Sequence, residues 1–351
     1  MKAARFHGPG DIRVDDIPEP ETRPGTVKVK VDWCGICGTD LHEFLEGPIF
    51  VPPKGQPHAL TGEELPVVLG HEFAGVVTEV GKGVTGLAEG DAVAVEPYHT
   101  CGQCPACLAG RYNICSSLGF IGLSGGGGGF SEFCVVDAGL AHPLGGIGTD
   151  LGALVEPLAV GYHAVRLSGL QPGATAVVFG AGPIGLVTAA NLRAAGAGRV
   201  VVVEPAAARK AKAVGAGADV VLDPTTDDVT AAVAELTGGA GADLAFECAG
   251  IDAVLAQAIG SVRAGGTVVN IAIWGHPAVV QMNDLVMKEV NVLGTLAYCG
   301  DHPDTIALLT DGKVDAGQFI TARIGLEDIV EGGFRQLIEN KEEHVKILVS
   351  P

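Results

Sequence analysis

The stretch TAVVFGAGPIGLVTAANLRAAG, residues 175–196, decides how the second half of the chain is read. Thr175–Phe179 is a run of apolar and β-branched residues, Gly180-x-Gly182-x-x-Gly185 follows at once, and an alanine-rich helical segment opens at Pro183. A bare G-x-G-x-x-G is weak evidence, but here a strand precedes it and a helix follows. Each glycine has its own task. Gly180 permits the tight turn, Gly182 lets a pyrophosphate approach the backbone, and Gly185 lets helix and strand pack closely. Pro183 and Ile184 lie inside the motif, where free N–H groups and the positive end of the helix dipole meet phosphates. Glu204 ends the next strand, nineteen residues past Gly185. An acid there accepts hydrogen bonds from the adenosine ribose and repels a 2′-phosphate, so the pattern favours NAD over NADP. Arg209 is the counter-signal, because a nearby arginine accommodates that phosphate.

Outward from this motif the texture repeats. Further strands are expected at Arg199–Val203, Asp219–Leu222, Ala242–Glu247 and Thr267–Ile271, with helices at Pro183–Ala195 and Ala206–Val214 between them. Buried β-branched strands alternating with helices imply a parallel, doubly wound sheet. A helical stretch, Leu151–Leu167, leads into it. The first 150 residues read differently, as antiparallel β structure in short Val-rich pieces such as Val27–Val31, Ala74–Val80 and Ala92–Val95, broken by Gly, Pro and Asp. The expected division is a β-rich domain over 1–155, completed by the tail 295–351, and a dinucleotide-binding α/β domain over 156–294. Gly125–Gly129 reads as a flexible turn, since no helix follows it.

Composition bounds the function. The 41 acidic and 22 basic residues give a net charge of −19, which argues against a nucleic-acid or anionic-membrane partner. No run of about 18 apolar residues occurs, so no membrane span is expected. The N-terminus MKAARFHGPGDIRV lacks the apolar core of a signal peptide, and the expected location is the cytoplasm. Thiols stay reduced there, so clustered cysteines read as metal ligands before disulfides.

Four of the nine cysteines fall within CGQCPACLAGRYNIC, residues 101–115. Cys101, Cys104, Cys107 and Cys115 can surround a tetrahedral zinc and leave no position open, so such a site is structural. An iron–sulfur cluster is the rival, because its ligand runs also begin C-x2-C-x2-C, although the gap to Cys115 does not fit the bacterial spacing. The chemistry must then lie elsewhere. Cys34 and Cys37 form a C-x-x-C, but the βαβ context of a redox pair is missing.

Two further segments are dense in ligand side chains, CGICGTDLH (34–42) and GHEFAGVVTEVG (70–81). With the four-cysteine lobe, VEPLAVG (155–161), GAGPIG and the tail from GTVVNIAIWG to EEHVKILVSP, they resemble the zinc-dependent medium-chain alcohol dehydrogenases over nearly the whole chain. That resemblance implies a GroES-like β-rich catalytic domain beside a Rossmann domain, and two zincs per chain, one catalytic and one structural. It implies catalytic-zinc ligation by Cys37, His71 and a glutamate. Glu156 is the favoured third ligand, and Glu72 a supporting or alternating one. Thr39 and His42 are implied as the proton relay from the substrate hydroxyl to solvent. Within the family, GPIFVPPKGQPHALTGEELPVVLGHE (47–72) resembles the branch acting on 2,3-butanediol and acetoin, beside the sorbitol and L-threonine dehydrogenases. The family commonly forms homodimers or homotetramers. ECAG (247–250) and IAIWG (271–275) resemble its nicotinamide contacts, with Trp274 as a pocket or core residue.

Overall fold

The structure, a computed structural model, describes all 351 residues, and the chain divides into two compact units. The first comprises Met1–Glu156, His302–Asp311 and Phe319–Pro351; the second comprises Pro157–Asp301 and Gly312–Gln318.

The first unit is built on one long strand, Thr26–Gly35. Its valines Val27, Val29 and Val31 are buried in the unit's apolar core with Phe6, Phe73, Phe130 and Phe334. Strands Glu72–Val80, Phe133–Asp137 and Lys346–Ser350 all pair with it antiparallel. Ala92–Val95 and Ala141–Pro143 extend the sheet on one side, and Ile320–Gly325 extends it on the other. The tail thus rejoins the first unit through its last strand, where Leu348 stands opposite Gly35.

Gly125–Gly129 is not the loose turn expected from its composition. Gly125, Gly128 and Gly129 are buried. A Cβ on Gly129 would lie 2.5 Å from Cys34 Sγ, and one on Gly128 would lie 2.5 Å from the Leu69 carbonyl oxygen. The glycines are there because backbone must pass where no side chain fits.

The second unit holds a six-stranded, all-parallel sheet in the order Val220–Leu222, Arg199–Val203, Thr175–Phe179, Ala242–Glu247, Val262–Asn270, Asn291–Gly294. Strand order reverses direction about Thr175–Phe179, the switch point where such sheets bind ligands. The stretch 151–167 is two helices, Thr149–Gly152 and Val155–Leu167, and the second one opens with the Val155-Glu156-Pro157 step. No helix is long and apolar enough to cross a membrane.

Candidate active site and metal centres

Strand register assembles the sparser ligand set. Gly35 pairs with Glu72 across the sheet, so Cys37, two residues past Gly35, comes beside His71, one residue before Glu72. On the other side Leu348 pairs with Gly35, which carries Lys346 to the same end. Gly35 has no side chain at the crossing, and a Cβ there would sit 2.2 Å from Glu72 Oε2. One ligand atom each from Cys37, His71 and Glu72 lies within 4.8 Å of the others, a Cys/His/carboxylate donor set suited to a zinc with an open position.

Cys37 caps the helix Gly38–Glu46, and its backbone N–H donates to Asp40 Oδ2 at 2.9 Å. The other oxygen of Asp40 lies 3.5 Å from His71 Nδ1. A fully buried carboxylate therefore faces both ligands, the arrangement that orients a metal-bound imidazole. Burial opposes a charge on His71, but Asp40 and Cys37 outweigh it and hold its pKa well above the ordinary value. Burial, reinforced by Glu72, pushes the Cys37 thiol up. A thiol in that state needs a cation to become a thiolate, which is what a zinc supplies.

Glu72 is not free to act alone. Lys346 Nζ donates to both its oxygens, at 2.7 and 2.6 Å, and to the Ile36 carbonyl at 3.1 Å. Glu156 is buried in the first turn of the helix Val155–Leu167, and its charge acts on Lys346. Thr39 is half-buried and His42 exposed on the helix that Cys37 caps, three residues apart and so on one face.

The four-cysteine loop also fits its group. Cys115 Sγ lies 3.5 Å from Cys101 Sγ, and Cys101 Sγ lies 4.0 Å from Cys107 Sγ. Four sulfurs about a zinc at about 2.3 Å stand about 3.8 Å apart. Backbone N–H groups of Cys104, Cys107 and Ser117 donate to Cys101, Cys104 and Cys115 sulfurs. Amides of Cys107 and Ser116 bring the Cys104 thiol down to about 5.

In the second unit Gly180 has φ +97° and its N–H donates to the Val203 carbonyl. A Cβ on Gly185 would meet the Gly180 carbonyl oxygen at 1.9 Å, whereas one on Gly182 would meet nothing within 4 Å. Pro183 opens the helix Pro183–Ala194, with Ile184 half-buried behind it. Glu204 is buried. It accepts from Ala181 N at 2.7 Å and Ala206 N at 2.9 Å, so it braces the glycine turn. Arg209 is half-buried on the helix Ala207–Gly215. Glu247 closes the turn after its strand through the N–H groups of Ala249 and Gly250. Trp274 packs against the unit's apolar core and donates to Asn270 Oδ1 at 2.8 Å.

Two partners escaped the sequence reading. Asp40 was signalled by its place three residues after a helix-capping position, where an acid closes the cap. Lys346 carried no local signal at all.

These folds and donor sets define a two-domain zinc dehydrogenase. Residues 23–146 match the alcohol dehydrogenase GroES-like domain and residues 183–311 the zinc-binding dehydrogenase family, so the chain belongs to the zinc-binding alcohol dehydrogenases. Among its relatives, the (R,R)-butanediol dehydrogenase of Neisseria gonorrhoeae is 50% identical over 353 residues, spanning 100% of this chain and 99% of the relative. The (R,R)-butanediol dehydrogenase of Bacillus subtilis is 49% identical over 354 residues, spanning 100% of both. The crystal structure of a 2R,3R-butanediol dehydrogenase from Bacillus subtilis superposes with a TM-score of 0.94 at 47% identity, covering 100% of this chain and 99% of that one.

Proposed function

We propose that this dehydrogenase interconverts (R,R)-2,3-butanediol and acetoin with NAD(H). The observation that carries the reading is the meeting of Cys37 and His71 just beyond the ends of two paired strands, in a chain half-identical from end to end to butanediol dehydrogenases.

Cys37, His71 and Glu156 would hold the catalytic zinc, with Glu72 held back by Lys346 as the supporting or alternating carboxylate. Zinc in such a site supplies Lewis acidity, which makes a bound hydroxyl a stronger acid. Asp40 accepts from the Cys37 backbone amide and turns its other oxygen to His71 Nδ1, 3.5 Å away, so one buried carboxylate positions both ligands. Thr39 Oγ1 accepts the hydroxyl proton while its own hydroxyl proton passes on toward His42. His42, exposed on the same face, releases it to solvent, a task that suits an imidazole, which can accept a proton on one nitrogen and give one up from the other.

Gly180, Gly182, Pro183, Ile184 and Gly185 would seat the pyrophosphate, and the nicotinamide would supply the hydride acceptor. Glu204 is an acid already anchored by two backbone N–H groups, so its negative charge is fixed beside the ribose position and disfavours a 2′-phosphate. Arg209 stands nearby in sequence and would bear on how strict that preference is. Cys101, Cys104, Cys107 and Cys115 would hold the structural zinc. Metal-ligating thiols suit a reducing compartment, in keeping with a cytoplasmic enzyme.

The second unit leaves its edge strand Asn291–Gly294 exposed, with Val292 and Leu293 uncovered beside Met282, Val286 and Met287. An unpaired apolar edge of this kind takes another strand. We infer that a second copy covers it, as a homodimer or within a homotetramer.

Side-by-side turnover of (R,R)-, (S,S)- and meso-2,3-butanediol, sorbitol and L-threonine tests the substrate assignment. The highest kcat/KM is expected for the (R,R) isomer. A far higher value for sorbitol would assign the chain to the polyol branch.

A further inference from the structure

We propose that Glu96, His142 and His302 form a third metal site, for a divalent transition ion such as zinc, separate from both cysteine-containing sets. One ligand atom from each lies within 4.8 Å of the others. The three residues come from distant parts of the first unit. Glu96 follows the strand Ala92–Val95, and His142 is the middle residue of Ala141–Pro143, which pairs with that strand. His302 opens the helix His302–Thr310.

The donor atoms gather about one carboxylate oxygen, Glu96 Oε2. His142 Nε2 lies 3.0 Å from Glu96 Oε2, and His302 Nδ1 lies 3.9 Å from the same oxygen. The two rings face each other with centroids 5.2 Å apart and planes 27° from parallel. Two imidazoles on one tetrahedral zinc, with Zn–N bonds of about 2.0–2.1 Å, place their centroids about 5 Å apart. The other Glu96 oxygen, Oε1, accepts from Tyr112 Oη at 2.6 Å, which leaves Oε2 to face the histidines. Hydrogen-bonded second oxygens of this kind fix a ligating carboxylate in place.

Chemistry and burial agree with the geometry. Two imidazoles and a carboxylate suit zinc, and also nickel or copper. Glu96 and His302 are buried, while His142 keeps 17% of its side chain exposed and so gives an ion a way in. The Tyr112 hydroxyl holds Oε1 and leaves Oε2 turned to the two histidines, so the carboxylate is placed to serve as a ligand. An ion here would tie the strand Ala141–Pro143 and the helix His302–Thr310 to the base of the four-cysteine loop, which Tyr112 carries. Its role is that of a clamp, and three protein donors leave a position for water.

Metal content of the purified full-length chain tests this directly. After saturation with zinc and removal of loosely held metal, the wild type is expected to hold three ions per chain. His142→Asn and His302→Asn are each expected to hold two, with the third ion raising the Tm of the wild type alone. Cobalt loading of the wild type gives a readout that needs no variant to fold. Its last equivalent should add ligand-field absorption with no thiolate-to-cobalt charge-transfer band, because this site has no sulfur. Saturation of the wild type at two ions, or retention of a third by both histidine variants, would overturn the proposal. A sulfur charge-transfer band that grows with every equivalent bound would do the same.

Discussion

Lys346 and Glu72 are 274 residues apart in sequence, yet the lysine ammonium sits 2.7 and 2.6 Å from the two carboxylate oxygens, with both side chains buried. The pair stands at the end of the sheet where Cys37 and His71 meet. Removing one member of a buried pair leaves the other charge without compensation, which typically costs about 3–5 kcal/mol. Lys346→Met should therefore lower the denaturation midpoint of the protein sharply. A loss of only about 1 kcal/mol, as for a surface pair, would mean that solvent reaches Glu72.

The same pairing separates the two glutamates. Glu156→Gln should lose the catalytic zinc and the activity together, while the structural zinc stays. Glu72→Gln should keep both the catalytic and the structural zinc and lose stability first, because Lys346 is then buried without its counter-charge. Zinc analysis of both variants checks this. Retention of full zinc by Glu156→Gln, with loss in Glu72→Gln, would make Glu72 the direct ligand.

The glycines of the dinucleotide turn should fail in different ways. Gly185→Ala drives a methyl into the Gly180 carbonyl oxygen, and overpacking of that sort costs about 1–3 kcal/mol. Gly182→Ala meets no protein atom, so stability should hold while the methyl fills the space a pyrophosphate needs. Thermal unfolding alongside NADH fluorescence titration separates the two. Equal NADH affinity in Gly182→Ala and the wild type would place the cofactor elsewhere.

Acid stability should report on Asp301. Burial pushes its carboxyl up, but bonds from His163, the Cys299 amide and Arg166 more than offset this and lower its pKa. A lowered folded value means that stabilisation is complete above the unfolded pKa, about 3.9, and is lost as pH falls through the folded value. The stability gap between wild type and Asp301→Asn should be widest near neutrality, about 1.5–3 kcal/mol for charge-assisted bonds, and should close on acidification. A gap that does not change with pH would remove the ionised carboxylate from the account.

What could be read from the sequence follows chain distance. Cys101, Cys104, Cys107 and Cys115 lie on one loop, so their spacing alone implies the donor set. The strands Thr175–Phe179, Arg199–Val203 and Ala242–Glu247 form at the expected residues, because buried parallel strands are continuous apolar runs. Cys37 and His71 were recognisable only through a resemblance, since it is strand register that joins them. Lys346, and the grouping of Glu96 with His142 and His302, are contacts made entirely by tertiary pairing, and no local pattern marks them. Gly125–Gly129 went wrong for a related reason. A glycine run looks the same whether it is loose or threaded past Cys34 and Leu69, and only the packed neighbours decide.

The account rests on the working metal being held by Cys37 and its partners, with the dense cysteine loop as a staple. Zinc content and (R,R)-2,3-butanediol oxidation, measured together on Cys37→Ser and Cys104→Ser, test this most directly. Cys37→Ser should lose about one zinc per chain and its turnover, while folding and NADH binding persist. Cys104→Ser should lose stability first and activity only with it. Wild-type turnover in Cys37→Ser, or a stable Cys104→Ser protein that has specifically lost hydride transfer, would contradict the assignment of the two sites.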